Sequence, residues 1–506
     1  MMLKSIKISL KDTLIYGLGN VAVKVVGLIL IPLYTDPKYF SVDQFGILGI
    51  LEISALVLTA CMASALPQSL TRWFWDKDFR DNQKGIFFMT IATQLVVSSA
   101  FCLLLIPLSG KLSILLFAKT DWSRVIALVI LSSAIQAINN IINTLMRLQS
   151  RSLLYTITNL FKLSSVLVLT LYFILSKKMG LEGIYLAQVI GNSLVVLFLL
   201  GYTLKNTRVF FDKIIFRSMN LYGFPLFLGN ISAVMLNVID RYSLKSLSVL
   251  KAVALYTLAF KITSVLKLVI VDSMKLAIGP MMFKRLDTPD NKRFYSKVLL
   301  YSSFVMMFAI VGVSLFSFEL TKVMTKSKEF WGAVVIVPVL AMSIFFINLK
   351  DFSVYGLHFA KKTRIIGTIV VLSTVLSLVF NFLFIPIWGI TGAAIATLLS
   401  QFIYWIACYY FSQKVFFIPY EIRKIIIIFF CGAVLSFSSL VVNGMDLLPR
   451  MIIKTVLLVS YPFILYLFNF YEPIELQSIR GFISKWSKIK NIKSNLSSLK
   501  GITDDL

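Results

Sequence analysis

Gly389-Ile-Thr-Gly392-Ala-Ala-Ile-Ala396-Thr stands 209 residues after Gly180-Leu-Glu-Gly183-Ile-Tyr-Leu-Ala187-Gln, and both read G-x-x-G-x-x-x-A. Two looser matches keep nearly the same spacing. Tyr16-Gly17 pairs with Tyr222-Gly223 at 206, and Ser41-Val42 with Ser248-Val249 at 207. Small residues recur by chance wherever helices pack closely. Three similar offsets in one order point instead to an internal duplication. The expected halves are residues 1–210 and 211–420, six helices each, followed by two additional spans over 421–470 and a tail over 471–506. Six is even, so both halves enter the membrane in the same sense. Such a parallel repeat places the substrate between its halves.

The membrane itself follows from composition. The chain has 506 residues, 58% hydrophobic and only 14% charged, with a mean hydropathy of +0.86. A soluble protein this apolar could not cover its surface, so the fold class is all-α, polytopic and membrane-embedded. Runs of about 20 apolar residues fall near 12–33, 45–66, 85–107, 124–146, 153–176, 181–203, 218–239, 252–282, 297–317, 330–349, 364–385, 389–411, 424–443 and 449–470. That makes about 14 transmembrane helices. The run at 252–282 is overlong, and Pro107 and Gly110 interrupt the stretch at 107–123. Lys4, Lys7 and Lys11 precede the first run as in a signal peptide, but its length and Lys24 mark it as a retained span. The net charge of +27 reflects basic loops on one side, so the positive-inside rule places both termini in the cytoplasm and no nucleic acid is implied. In the tail, Leu476, Ile479, Phe482, Ile483 and Trp486 share a helical face suited to a membrane surface. The four cysteines show no metal or disulfide spacing. There is no phosphate-binding loop motif, and the lone His358 falls in an expected loop beside Lys361 and Lys362.

The informative residues are polar ones at bilayer depth. A charge there costs roughly 2.5–3.5 kcal/mol on insertion scales, so it normally faces a bundle interior or a wet cavity. Lys24, Lys162, Lys261, Lys267 and Lys275 all fall inside expected spans. Helical spacing puts Asn20 beside Lys24 and Asn159 beside Lys162. It aligns Ser132, Ser133, Gln136, Asn139, Asn140, Asn143 and Arg147 in one stripe of the fourth span, and Asn230, Asn237 and Arg241 in the seventh. Arg147 is expected at the inner mouth and Arg241 at the outer. Isolated Asn and Gln residues usually join helices, at about 0.6 kcal/mol per contact, and Asn348 and Asn381 are read that way. The seven-member stripe exceeds what packing needs and reads as a wet wall. Lys275 could pair with Asp272 one turn earlier. Glu52 and Asp272 could each carry a coupling ion or neutralise a lysine.

The chain resembles the polysaccharide-transporter (O-antigen flippase) branch of the multidrug/oligosaccharidyl-lipid/polysaccharide exporter superfamily. Four features carry the resemblance: the first span with Gly17, Asn20 and Lys24; the opening over Phe40–Leu48; Asp240-Arg241-Tyr242; and the stretch from Gly389 to Gln401. Phe40 stands where Leu is more usual, and the stretch near Gly180 is poorer in alanine than its partner. The resemblance implies two six-helix lobes in a V around a cationic cleft, in a bacterial inner membrane. It implies a polyprenyl-diphosphate-linked oligosaccharide as cargo, flipped outward by alternating access. Lys24, Lys162, Lys261, Lys275, Arg147 and Arg241 would meet the diphosphate, and Asn20, Gln136, Asn140, Asn143, Asn159, Asn230 and Asn237 the sugars. A proton or sodium ion, membrane lipids, a polysaccharide polymerase and a chain-length regulator would be partners, with no cofactor or metal. Peptidoglycan-precursor flippases and cation-coupled multidrug exporters share the architecture. From another class, a membrane-embedded polymerase or acyltransferase would need long outer loops or a buried histidine, which the sequence lacks.

Overall fold

A computed structural model describes residues 27–76, 82–473 and 475–477. Among them the chain is almost wholly helical, with no strand. The principal helices are α1 Val42–Ala63, α2 Leu66–Trp73, α3 Gln83–Leu105, α4 Ser123–Leu148, α5 Ser152–Ser176, α6 Gly180–Phe198 and α7 Lys213–Met235. They continue as α8 Ile239–Leu247, α9 Leu250–Lys284, α10 Asn291–Leu315, α11 Lys328–Phe359, α12 Thr363–Val415, α13 Ile422–Val442 and α14 Leu447–Leu467. Eleven of the described helices are long and apolar enough to cross a bilayer, or twelve if α7 and α8, bent by 53°, form one span. Outward residues such as Leu103, Val434 and Val441 are more than two-thirds exposed. Only lipid makes that favourable, because the backbone behind them is satisfied within its own helix. The expected span 12–33 lies mostly outside the described residues, as does the tail face beyond residue 477.

Helix starts and stops follow local chemistry. Ser41 caps α1 through a reciprocal pair: its hydroxyl accepts from Gln44 N–H at 3.2 Å, and the Gln44 side chain accepts from Ser41 N–H at 2.9 Å. Left-handed Ser64 and Ala65 (φ 46° and 57°) end α1, and α2 restarts at once with Pro67 in its first turn. Asp212 caps α7 by accepting from Ile214 and Ile215 N–H.

The duplicated motif has a physical meaning. Gly180 and Gly389 both take positive φ, 56° and 54°, a backbone state that only glycine adopts without strain. Three residues on, a Cβ on Gly183 would lie 2.8 Å from Phe173 Cβ, and one on Gly392 would lie 2.2 Å from the Phe384 carbonyl oxygen. The first glycine turns the chain and the second lets the next helix cross the end of the previous one. The expected loop between the spans at 364–385 and 389–411 is therefore missing. The 53-residue α12 departs from helical geometry only at Gly389. A straight helix of that length would run about 80 Å, far beyond the roughly 30 Å of a hydrocarbon core.

Helices α1 and α9 pack closely against each other. A Cβ on Gly46 would stand 2.4 Å from the Leu250 carbonyl oxygen, and one on Gly49 would stand 2.4 Å from Thr257 Oγ1. The missing side chains let the helices touch backbone to backbone. Phe45 and Phe330 rings meet edge-on nearby, and Ser54 and Tyr242 hydroxyls bond at 2.8 Å. Gly46→Ala should therefore destabilise by about 1–3 kcal/mol through overpacking. Gly229→Ala, on α7 with nothing within 4 Å, should be neutral or slightly stabilising through helix propensity. Melting curves in detergent check this, and equal midpoints for the two variants would refute it.

Beyond the last span, Lys297 on α10 joins Glu421 at 2.7 Å and also pairs with Glu472. Burial opposes the charge on Glu421, but Lys297 and Lys424 outweigh it and hold that carboxyl below its usual range. The network fastens the chain after α14 to α10 and the start of α13.

Candidate functional site

Helices α1, α2, α4 and α7 line a cavity of about 460 Å³. α1 supplies Leu56, Ala60 and Ala63, and the turn into α2 supplies Ala65, Pro67 and Gln68. Asn140 enters from α4. Asn230, Ala233, Val234, Asn237 and Val238 enter from α7 and its bend into α8. Alanines make the room, and three asparagines give it polar walls. No carboxylate lines it. Asn140 also begins a short polar chain. Its side-chain oxygen accepts from Gln136 Nε2 at 2.9 Å, and Gln136 Oε1 accepts from Lys162 Nζ at 3.1 Å. Among the described residues no carboxylate pairs with Lys162, so its charge is unopposed.

The other expected site residues are placed differently. Lys261 on α9 pairs with Glu52 on α1 at 2.7 Å, with Lys261 Nζ 5.8 Å from the Phe45 ring centre. Arg241 is expected at the outer mouth, but it is buried. It meets Asp240 at 3.5 Å, donates to the Asn237 carbonyl at 2.6 Å and stacks 4.2 Å over Phe260. Asp240 in turn accepts from Tyr256 and lies beside Thr397. Arg241 thus ties α8 to α9 through Phe260, and its neighbour Asp240 reaches α9 and α12, a role that the stripe with Asn230 did not reveal. Arg147 is exposed in the last turn of α4 and donates to Thr144 at 3.0 Å. Asn143 is half-buried on the same helix. Asn159 is buried and donates to the Tyr155 carbonyl one turn back. Asn139 donates to the Asn192 carbonyl, joining α4 to α6. Asn348 donates to Ser302 on α10, as a helix-joining residue should, whereas Asn381 donates within its own helix to Ser377. Asn20 and Lys24 lie outside the described residues.

Lys275 does not turn back to Asp272. It reaches Asp351 on α11 at 3.1 Å, and Lys350 pairs with the same carboxylate. The sequence reading missed this cluster because it ended the tenth span at residue 349, whereas α11 continues to Phe359. His358 accordingly sits on a helical turn rather than in a loop. The signal was the Lys350-Asp351 pair, two opposite charges directly after a long apolar run. Lys267 and Asp272 lie on a π-helical stretch of α9.

A family model described as polysaccharide biosynthesis protein matches residues 9–286, more than half of the chain. The chain belongs to that family. A relative in Methanocaldococcus jannaschii, the uncharacterized membrane protein MJ1068, is 22% identical over 288 residues, covering 55% of each chain. The match thus spans about half the length of that relative. Among solved structures, the lipid II flippase MurJ in an inward closed conformation superimposes with a TM-score of 0.69 at 12% identity. That match covers 90% of this chain and 99% of MurJ. An inward-facing multidrug resistance MATE family transporter of the MOP superfamily gives 0.63 at 14% identity over 78% and 97%. A MOP superfamily transporter from Pyrococcus furiosus gives 0.60 at 15% over 80% and 95%. The family member described here therefore has the exporter-superfamily fold that the resemblance implied.

Proposed function

We propose that this protein moves a polyprenyl-diphosphate-linked oligosaccharide, an O-antigen, capsule or exopolysaccharide repeat unit, from the inner to the outer leaflet of a bacterial cytoplasmic membrane. In this reading residues 1–210 and 211–420 are the rocking lobes, 421–470 are appended spans, and both termini are cytoplasmic. The supporting observation is the cavity lined by α1, α2, α4 and α7, whose asparagine wall leads through Gln136 to the unopposed Lys162. Amides suit sugar hydroxyls, since each can donate and accept. An ammonium suits a diphosphate. The polyprenyl tail stays in lipid beside the lobes. An interior-negative potential favours outward movement of an anion by roughly 2.3 kcal/mol per charge per 100 mV. A proton or sodium ion at Glu52 or Asp272 would add to that drive.

Cationic drugs are a poorer fit, because no carboxylate lines the cavity. A peptidoglycan precursor carries the same lipid diphosphate, and its accumulation is the way to recognise it. Depleting the protein should trap lipid-linked repeat units on the inner leaflet, detectable by extraction and by failure of outside-added lectin to label them. Normal outward exposure of these units with only the external polymer shortened would overturn the transport reading and favour a polymerase.

A further inference from the structure

We propose a second anion site in the C-terminal half, built to hold a phosphate group, at Lys275, Lys350 and His358. These residues line a cavity of about 300 Å³, together with Asp351, Tyr355 and Tyr404. It shares no lining residue with the cavity lined by α1, α2, α4 and α7.

The argument is one of charge and donor accounting. The Asp351 side chain is only 5% exposed, and both its oxygens are taken: Lys275 lies 3.1 Å from Oδ2, and Lys350 binds Oδ1. Two ammoniums on one carboxylate leave a full positive charge beside an open cavity. Each ammonium has three N–H donors. Among the described residues, neither lysine donates to any other protein group, although Lys350 lies over the Tyr404 ring at 5.1 Å.

A second triad shows the fold giving such cations additional protein acceptors. Glu319 pairs with Arg450 and Lys454 in the same two-to-one ratio. There Lys454 also donates to Asn443 Oδ1 at 2.7 Å, and Arg450 donates to the Asn443 and Met445 carbonyls. At Asp351 the equivalent donors are left for a ligand. The carboxylate holds the two ammoniums side by side, and His358 adds a ring N–H. A tetrahedral phosphate oxyanion matches that set, and charge-assisted bonds of this kind are the strong ones. Lys275 is 42% exposed, so the site can be reached. It lies toward the ends of α9 and α11, next to the Lys361-Lys362 turn. On the orientation proposed above, that is the cytoplasmic side, where a phosphate-bearing lipid would arrive first.

Site-resolved lysine labelling tests this. The protein is placed in phosphatidylcholine nanodiscs, pulsed with an amine-acetylating reagent, and read by peptide mass spectrometry. Inorganic pyrophosphate at ten times its dissociation constant should slow acetylation of Lys275 about ten-fold by mass action, with Lys361 unchanged. Lys350→Gln should raise the pyrophosphate concentration needed on the order of ten-fold, and Lys350→Arg should keep protection. Protection by phosphatidylglycerol nanodiscs without pyrophosphate identifies a lipid headgroup as the source. Protection by pyrophosphate alone identifies a phosphate on another molecule. No protection of wild-type Lys275 in either arm, or equal slowing at Lys361, overturns the site. The readout does not involve translocation, so a failed transport assay removes the cargo while leaving the site standing, and the reverse also holds.

Discussion

Lys162→Met abolishes export of the lipid-linked saccharide while leaving the protein folded and present at normal level. The two halves of that expectation have separate causes. Lys162 is held by a single neutral acceptor, Gln136 Oε1 at 3.1 Å, so the folded state carries the cost of an unpaired cation at membrane depth. Methionine has similar length and no charge, and removing that cost leaves stability unchanged or improved. The diphosphate loses a charge-assisted contact of about 1.5–3 kcal/mol, roughly ten- to a hundred-fold in affinity. Lys162→Arg keeps the charge and should retain partial export. Outward exposure of the saccharide, measured beside a melting curve in detergent, checks both halves. Wild-type export by the methionine variant would remove Lys162 from the cargo path. Lys24, which the resemblance places in the same role, is the natural second substitution.

The largest effect on stability should come from Glu319→Gln. Its carboxylate meets Arg450 at 2.8 Å and Lys454 at 2.7 Å, with the Lys454 side chain fully buried and that of Arg450 only 7% exposed. Removing one member of such a cluster strands the others, at about 3–5 kcal/mol. Replacing all three together with apolar residues, Glu319→Leu with Arg450→Met and Lys454→Met, should recover most of the loss, because well-packed apolar groups can substitute for buried ion clusters. Thermal melting and cellular abundance give the answer. A single variant as stable as wild type would mean that water reaches the triad.

Much of the fold was legible because the membrane imposes long apolar runs and the G-x-x-G motif recurs with its glycines. The G-x-x-G pairs at 180 and 389 marked real turns, even though their geometry, a loopless reversal at Gly389, is not written in hydropathy. The glycines Gly46 and Gly49 carried no signal by themselves. Only the approach of Leu250 and Thr257 on α9 gives them meaning. Helical spacing aligned Asn230 with Asn237, and both line the cavity that Asn140 of the α4 stripe also enters. It could not foresee partners on other helices. Spacing aligned Arg241 with Asn230 and Asn237 and put it at the outer mouth, although Asp240, its immediate neighbour, and Phe260 confine it. It could offer Lys275 only Asp272 on its own helix as a partner, when the carboxylate it meets is on α11.

The Glu52–Lys261 bridge joins α1 to α9 at 2.7 Å, and on the proposed rocking mechanism this has an energetic consequence for any motion that parts those helices. Pulling the two charges apart in a poorly polarisable medium is steeply uphill unless each finds a replacement counter-charge. A phosphate near Lys261 and a cation or proton on Glu52 would be such replacements, and both are lacking when the transporter is empty. An unloaded molecule would then be reluctant to open at this point, and the same two side chains that close the gap would discourage idle cycling.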